Sequence, residues 1–129
     1  MLIFLDIDGV MIPIKSWQTP PMLQDGFPDF SVDAVKCLNS KITDETVIVL
    51  TTSHRFNYKK EEWIKIFKTR GVVINNIQYL PVGNRKDEIC KYINDDMEYI
   101  IIDDDKSLND LPKKIKEKLI LTSPMIGLK

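Results

Sequence analysis

Residues 2–10, Leu-Ile-Phe-Leu-Asp-Ile-Asp-Gly-Val, decide the fold class of this chain. Four consecutive apolar residues, Leu2 to Leu5, are typical of a short strand buried on both faces, as the strands of parallel sheets are. The run ends abruptly at two carboxylates, Asp6 and Asp8, and at Gly9. A strand with two buried faces needs helices on each side of its sheet, so this stretch predicts an α/β protein.

Further apolar runs repeat this pattern along the chain, at residues 46–50, 72–74, 99–102 and 119–121. Helical spacing and capping residues predict helices between them, over about residues 31–40, 58–69, 85–93 and 112–118. The alternation predicts a three-layer, Rossmann-like parallel sheet with helices on both faces. No linker composition divides the 129 residues, so we expect a single domain over residues 1–129.

The segment between the first strand and the first helix, residues 11–30, has a different composition. It contains one glycine and four prolines, Pro13, Pro20, Pro21 and Pro28. A helix does not survive that density of prolines, so we expect an extended loop or an irregular hairpin here.

Composition and charge exclude several classes of protein. Hydrophobic residues make up 43% and charged residues 29%, as in ordinary globular domains. The net charge of −1 and pI of about 5.8 give no global basic field for tight, non-specific nucleic-acid binding. No apolar run approaches the roughly 20 residues needed to cross a bilayer, and no signal peptide is recognisable, so a cytoplasmic location is expected. Cys37 and Cys90 lack metal-type spacing and are expected to be reduced core residues.

Polar clusters follow three of the predicted strands: Asp6 and Asp8, then residues 51–53, then residues 103–105. Ligands of open parallel sheets bind at the carboxyl ends of the strands, so the clusters should meet at one edge. Clustered carboxylates repel one another and destabilise the fold unless a cation neutralises them. Mg²⁺ prefers oxygen ligands and commonly joins carboxylates to substrate phosphate, which makes it the expected cofactor.

These clusters resemble the four motifs of the haloacid dehalogenase (HAD) superfamily. Residues 6–10, Asp-Ile-Asp-Gly-Val, match its first motif, Asp-x-Asp-Gly-[Val/Thr]. Residues 51–53, Thr-Thr-Ser, match the Thr or Ser that ends the next core strand. Lys86 matches the lysine that opens a helix, and Asp103 and Asp104 match the paired acids after a strand. The order and spacing hold over nearly the whole chain, which implies a HAD-like fold and hydrolysis of phosphate monoesters.

The resemblance implies a role for each acid. Asp6 would be the nucleophile that forms an aspartyl-phosphate, and Asp8 would be the general acid and then the general base. Mg²⁺ would be held by the Asp6 carboxylate, the backbone carbonyl of Asp8 and an acid of the fourth motif. Asp104 is favoured as that acid and Asp103 is the alternative; Asp103 would otherwise orient Lys86 or a metal-bound water.

The phosphoryl oxygens would be held by Lys86 and by a hydroxyl of the second motif. Thr52 is favoured, with Ser53 as a second contact, but Thr51 takes the role if the strand ends one residue earlier. Gly9 is expected to line the same phosphate site. Three other lysines are alternatives to Lys86: Lys59, Lys60 and Lys91. His54 and Arg55, next to the hydroxyl cluster, either contact substrate or have only a structural role.

The spacing of the motifs leaves no room for a full cap domain. About 40 residues separate the first two motifs and about 30 separate the second from the third, and both gaps hold elements the core needs. A capless site is open to large substrates. Short capless HAD domains of RNA-repair ("Swiss Army Knife") proteins look especially similar, since they share the Asp-x-Asp-Gly-Val start, the proline-bearing loop and a late Gly-Leu, here Gly127-Leu128.

That similarity implies a phosphatase acting on a nucleotide or a nucleic-acid end, with a small phosphorylated metabolite as the alternative substrate. Two other functions stay open: phosphoryl transfer to an acceptor other than water, and a non-catalytic phosphate-binding module. Asp8 disfavours the binding module, because binding alone needs no proton donor there. It also disfavours dehalogenation, because HAD dehalogenases lack the second aspartate.

Overall fold

The computed structural model describes residues 1–15 and 20–129, which contain a five-stranded, fully parallel sheet. Its strands are β1 (Leu2–Leu5), β2 (Val47–Leu50), β3 (Asn76–Tyr79), β4 (Tyr99–Asp103) and β5 (Leu119–Leu121). They lie in the order β3-β2-β1-β4-β5, so β1 is central. The helices are α1 (Val32–Asn39), α2 (Lys60–Thr69), α3 (Arg85–Tyr92) and α4 (Lys113–Lys116), with 3₁₀ helices at Arg55–Asn57 and Lys106–Asp110.

Two hydrophobic cores cover the two faces of the sheet. One face packs against α1 and α2, whose buried side chains include Leu38, Trp63 and Phe67. The opposite face packs against α3 and the second 3₁₀ helix through Ile89 and Leu108. Successive residues of a strand point to opposite faces, which is why the uninterrupted apolar strands supply both cores. The predicted three-layer α/β architecture is confirmed.

The register of the central strands places their ends level with one another. Leu5 pairs with Leu50 on one side and with Ile102 on the other. The next residue of each strand therefore emerges at the same edge of the sheet. This is the edge at which the polar clusters were expected.

The third strand differs from the expectation. The apolar run at residues 72–74 lies in the loop after α2, where Val72 and Ile74 are buried, and it forms no strand. The strand follows at residues 76–79, at one edge of the sheet. An edge strand is less enclosed than a central one, so its sequence mixes polar residues with the buried Ile77 and lacks an apolar run.

The described part of residues 11–30 is an irregular, anchored segment, as its prolines indicated. An isolated antiparallel bridge joins Met22 to Pro28. The buried guanidinium of Arg70, just after α2, donates to the two carboxylate oxygens of Asp25 at 2.7 and 2.9 Å. Arg70 also donates to the carbonyl oxygen of Pro28 at 2.9 Å. The segment is thereby fixed to the end of α2.

The described residues contain neither a cap domain nor a helix that could span a membrane. Neither the described part of the loop after β1 nor the residues between β2 and β4 form a cap domain. Cys37 and Cys90 are free cysteines that are half-buried, each packed against a different one of the two cores. None of the helices in residues 1–15 and 20–129 has the length and apolar character to span a membrane.

Candidate active site

Three carboxylates meet where β1 and β4 end. Asp6, Asp103 and Asp104 each offer an oxygen, and these three atoms lie within 4.8 Å of one another. Asp6 is only 5% exposed and Asp103 is fully buried, whereas Asp104 is half-buried. Buried acids this close together require compensating positive charge. The donor set of three carboxylate oxygens suits a hard divalent cation such as Mg²⁺.

The charge balance of the cluster also favours the binding of a cation. Burial, together with the charge of Asp103, raises the pKa of Asp6 to about 8, although the Arg85 guanidinium opposes the rise. Burial also raises the pKa of Asp103, against the effect of Arg85. The single positive charge of Arg85 therefore does not balance the negative charges of two buried carboxylates and of the third carboxylate beside them. A divalent cation would lower the pKa of both acids and keep them ionised.

Asp103 is held in place by donors from three directions. Its Oδ2 accepts a hydrogen bond from the Thr51 hydroxyl at 3.1 Å. Its Oδ1 accepts from Arg85 Nη1 at 2.8 Å and from the backbone N–H of Asp105 at 3.1 Å. Both oxygens already have partners, so the orientation of Asp103 is fixed by the protein.

Asp104 lies directly against the backbone of Gly9. A Cβ atom built on Gly9 would overlap the Asp104 carboxylate, and Gly9 has a φ of +80°, which side-chain-bearing residues rarely adopt. Glycine is therefore required here both for its conformation and for the space it leaves. This close approach brings the fourth-motif acid next to the loop that carries Asp8.

The basic side chain of the cluster belongs to Arg85 and not to Lys86. Arg85 Nη1 lies 2.8 Å from Asp103 Oδ1 and 3.5 Å from Asp6 Oδ2. Among the described residues, Lys86 forms no ion pair and no side-chain hydrogen bond. Adjacent residues of a helix point about 100° apart, so only one of the two can face the carboxylates. The motif correctly places a basic residue at the start of α3. It does not show which of the two adjacent residues, Arg85 or Lys86, faces the carboxylates.

The second-motif residues have different surroundings. Thr51 and Thr52 are buried, and Ser53 is exposed. The Thr51 hydroxyl donates a hydrogen bond to Asp103, whereas Thr52 Oγ1 accepts a hydrogen bond from the His54 backbone N–H at 3.3 Å. Thr52 therefore keeps its own hydroxyl proton for another acceptor, which is the property that a phosphate-binding hydroxyl needs.

His54 contacts the second aspartate of the first motif. Its Nε2 lies 3.0 Å from Asp8 Oδ2, and both side chains are close to half exposed. Asn57 Nδ2 lies 3.5 Å from the other ring nitrogen of His54. The sequence left the role of His54 open, and a lone histidine next to a hydroxyl cluster gave no signal for this contact.

Arg55 is a structural residue in this arrangement. Its buried guanidinium donates to the backbone carbonyl oxygens of Leu80, Thr52 and Pro81, at 2.6, 2.8 and 3.1 Å. Burial lowers the pKa of Arg55, and the nearby charge of Arg85 lowers it further. Arg55 joins the loop after β2 to the loop after β3, and within residues 1–15 and 20–129 it forms no hydrogen bond or ion pair with a carboxylate.

Comparison with known protein families gives a match over almost the whole chain. The sequence model of a family described as "HAD domain in Swiss Army Knife RNA repair proteins" matches residues 2–129, almost the whole chain. No curated protein and no solved structure matches the chain significantly. The resemblance drawn from the four motifs is confirmed.

Proposed function

The chain belongs to the HAD domain family of Swiss Army Knife RNA repair proteins, and on that premise we propose that it is a Mg²⁺-dependent phosphomonoesterase. The family supports HAD-type phosphatase or phosphotransferase chemistry in general. The observation that carries the finer proposal is the cluster of Asp6, Asp103 and Asp104 oxygens within 4.8 Å of one another. We treat residues 1–129 as one catalytic domain with Asp6 as its nucleophile.

The proposed first step transfers the phosphoryl group to Asp6. A carboxylate oxygen of Asp6 attacks phosphorus, the bond to the leaving oxygen breaks, and Asp8 gives its proton to that oxygen. Arg85, 3.5 Å from Asp6, orients the nucleophile and offsets negative charge on the phosphoryl oxygens. The Thr52 hydroxyl would donate a hydrogen bond to one of those oxygens.

The proposed second step returns the enzyme to its starting state. Asp8, now a carboxylate, takes a proton from a water molecule that attacks the phosphorus of the aspartyl-phosphate. The phosphorus–Asp6 bond breaks, and inorganic phosphate leaves. Asp6, Asp104 and the Asp8 carbonyl would hold Mg²⁺, with Asp103 as the alternative acid, and the ion would neutralise charge as the two anions approach.

The substrate class follows from the open site and the family. No cap domain among the described residues closes over the cluster, so a phosphate at the end of a long molecule has access. The matching family is defined by RNA repair proteins, which favours nucleotides or the terminal phosphates of nucleic acids over small metabolites. The net charge of −1 is consistent with recognition of an end and not of a long stretch of backbone.

The test is phosphate release from a panel of substrates by the purified chain. The panel contains an aryl phosphate, nucleotides, small sugar phosphates and oligonucleotides with 3′- or 5′-phosphates, each with Mg²⁺ and with EDTA. We expect Mg²⁺-dependent release that Asp6→Asn abolishes and that the matched surface variant Asp44→Asn leaves unchanged. Release that survives in Asp6→Asn would overturn the aspartyl-phosphate mechanism.

The same assay, extended with added acceptors and with a binding measurement, separates the two alternative functions. A phosphotransferase would accumulate phosphorylated Asp6 and release product only when an alcohol or nucleoside acceptor is added. A phosphate-binding module would bind Mg²⁺ and phosphate without turnover of any substrate. The His54–Asp8 contact favours turnover, because it holds an acid–base group that simple binding does not need.

A further inference from the structure

Thr122, the residue after β5, bonds both to the end of β4 and to the loop after β1, which carry the acidic cluster. Its backbone N–H donates to the carbonyl oxygen of Asp103 at 2.9 Å, which continues the pairing of β5 with β4. Its hydroxyl donates to the carbonyl oxygen of Gly9 at 2.7 Å. No motif includes this half-buried residue, and it is 113 positions from Gly9 in sequence.

Gly9 is hydrogen-bonded through both of its peptide groups. Its N–H, which belongs to the planar peptide that also contains the Asp8 carbonyl, donates to Ile12 O at 2.8 Å. Its own carbonyl accepts from Thr122. Because hydrogen bonds fix the peptide groups on both sides of the Gly9 Cα, the orientation of the Asp8 carbonyl is also fixed. The Asp104 carboxylate packs against that same Cα.

We propose that Thr122 is a positioning residue of the Mg²⁺ site, and that its hydroxyl sets the distance between the Asp8 carbonyl and the Asp104 carboxylate. The inference rests on the proposed function, since it takes both groups as Mg²⁺ ligands. Thr122 acts through Gly9 and touches neither the ion nor the substrate. Groups that orient metal ligands commonly change metal affinity by about 10- to 100-fold when they are removed.

Thr122→Val tests the hydroxyl alone. Valine has the shape of threonine and keeps the N–H that bonds to Asp103, so the variant loses only the bond to Gly9. Two backbone hydrogen bonds also link residues 123–129 to the residues after β1, from Leu128 N–H to Val10 O at 2.8 Å and from Ile14 N–H to Pro124 O at 2.7 Å. These links remain in the variant and should keep the segment folded in place.

Calorimetric titration of the substrate-free protein with MgCl₂ is the primary measurement. We expect Thr122→Val to weaken Mg²⁺ binding by about 10-fold or more, and Thr122→Ser, which keeps the hydroxyl, to bind nearly as tightly as the unmodified chain. Thr69→Val is the matched control, because the exposed Thr69 hydroxyl bonds only to Lys65 O within α2. The concentration of Mg²⁺ for half-maximal activity should rise in Thr122→Val, with little change in kcat at saturating Mg²⁺.

Two results would overturn the inference in distinguishable ways. Unchanged Mg²⁺ affinity in Thr122→Val, in a series where Asp104→Asn loses binding, would show that the hydroxyl has no positioning role. Absence of Mg²⁺ binding by the unmodified chain would overturn the proposed function and this inference with it. If Thr122→Val does not fold, as judged by its thermal transition, Thr122→Cys takes its place in the same comparison.

Discussion

Arg85 and Lys86 are adjacent at the start of α3, but only Arg85 contacts the carboxylates. We expect Arg85→Ala to lower kcat/KM by roughly 100-fold, because it removes the only guanidinium beside Asp6 and Asp103 among the described residues. Arg85→Lys should recover part of the loss, since it keeps the charge without the planar geometry. Lys86→Ala should behave like the unmodified chain. Steady-state kinetics of the three variants checks this, and a larger loss in Lys86→Ala would return the role to Lys86.

His54 supports a second prediction at the residue scale. Its Nε2 lies 3.0 Å from Asp8 Oδ2, so it can fix the orientation of the acid–base group. We expect His54→Phe to lower kcat about 10-fold with little change in KM. His54→Gln, which keeps an N–H of similar reach, should retain most of the activity. Steady-state kinetics with one aryl phosphate distinguishes the roles, because a substrate-binding histidine would change KM instead.

At the scale of elements, the sequence did not specify where the edge strand β3 lies or which residue at the start of α3 faces the site. β1 and β4 were predictable, because strands buried on both faces are uninterrupted apolar runs. β3 was misplaced because an edge strand mixes polar and apolar residues, while the apolar run before it fills the core from a loop. The start of α3 was predicted correctly, but the motif could not show which of its first two residues faces the site.

The contacts between Arg70 and the segment before α1 should contribute to the stability of the fold. Arg70, whose side chain is fully buried, joins the end of α2 to Asp25 and to backbone carbonyls of the segment. We expect Arg70→Met to destabilise the protein by roughly 2–4 kcal/mol, because several buried acceptors lose their donor. Urea unfolding measures the loss, with the exposed Lys68→Met as control. Equal stability of both variants would show that the apolar contacts of residues 20–30 suffice.

The ion pair between Asp25 and Arg70 should make the stability of the protein depend on pH. The hydrogen bonds from Arg70 are the main reason that the pKa of Asp25 is below its ordinary value of 3.8. A carboxyl group with a lowered pKa in the folded state stabilises the protein above its unfolded pKa and loses that contribution as pH falls. Urea unfolding at pH 6 and near pH 3 should therefore show a smaller effect of Asp25→Asn at the lower pH. An equal effect at both would mean that charge is not involved.

At the scale of the whole molecule, the sheet sets where the chemistry can occur. The level ends of β1, β2 and β4 bring together residues that are nearly 100 positions apart, and this was predictable because the carboxyl ends of parallel strands lie at one edge of the sheet. The contribution of Thr122 was not, because it follows the last strand and depends on the return of the chain to the loop after β1. Motifs identify groups that react, whereas the bonds that hold their backbone depend on the complete fold.

The carboxylates clustered at the carboxyl ends of β1 and β4 should make the thermal stability of the protein depend on pH when Mg²⁺ is absent. The pKa of Asp6 rises from 3.8 to about 8 in the folded state, chiefly because the group is buried. The folded state then holds a proton that the unfolded chain has lost, so this contribution to stability is complete below pH 4 and disappears as pH rises towards 8. Asp6→Asn removes the titrating group, and its Tm should exceed that of the unmodified chain by roughly 5 °C or more at pH 8.

The variant difference should shrink at pH 5, where Asp6 is protonated and resembles asparagine. Mg²⁺ competes with that proton, so its addition should raise the Tm of the unmodified chain more at pH 8 than at pH 5 and leave Asp6→Asn largely unaffected. Thermal unfolding with EDTA and with MgCl₂ at both pH values checks these differences, and Asp44→Asn controls for the loss of a surface charge. Parallel profiles for Asp6→Asn and the unmodified chain would mean that Asp6 is ionised in the folded protein, and that other groups already supply the positive charge assigned here to the cation.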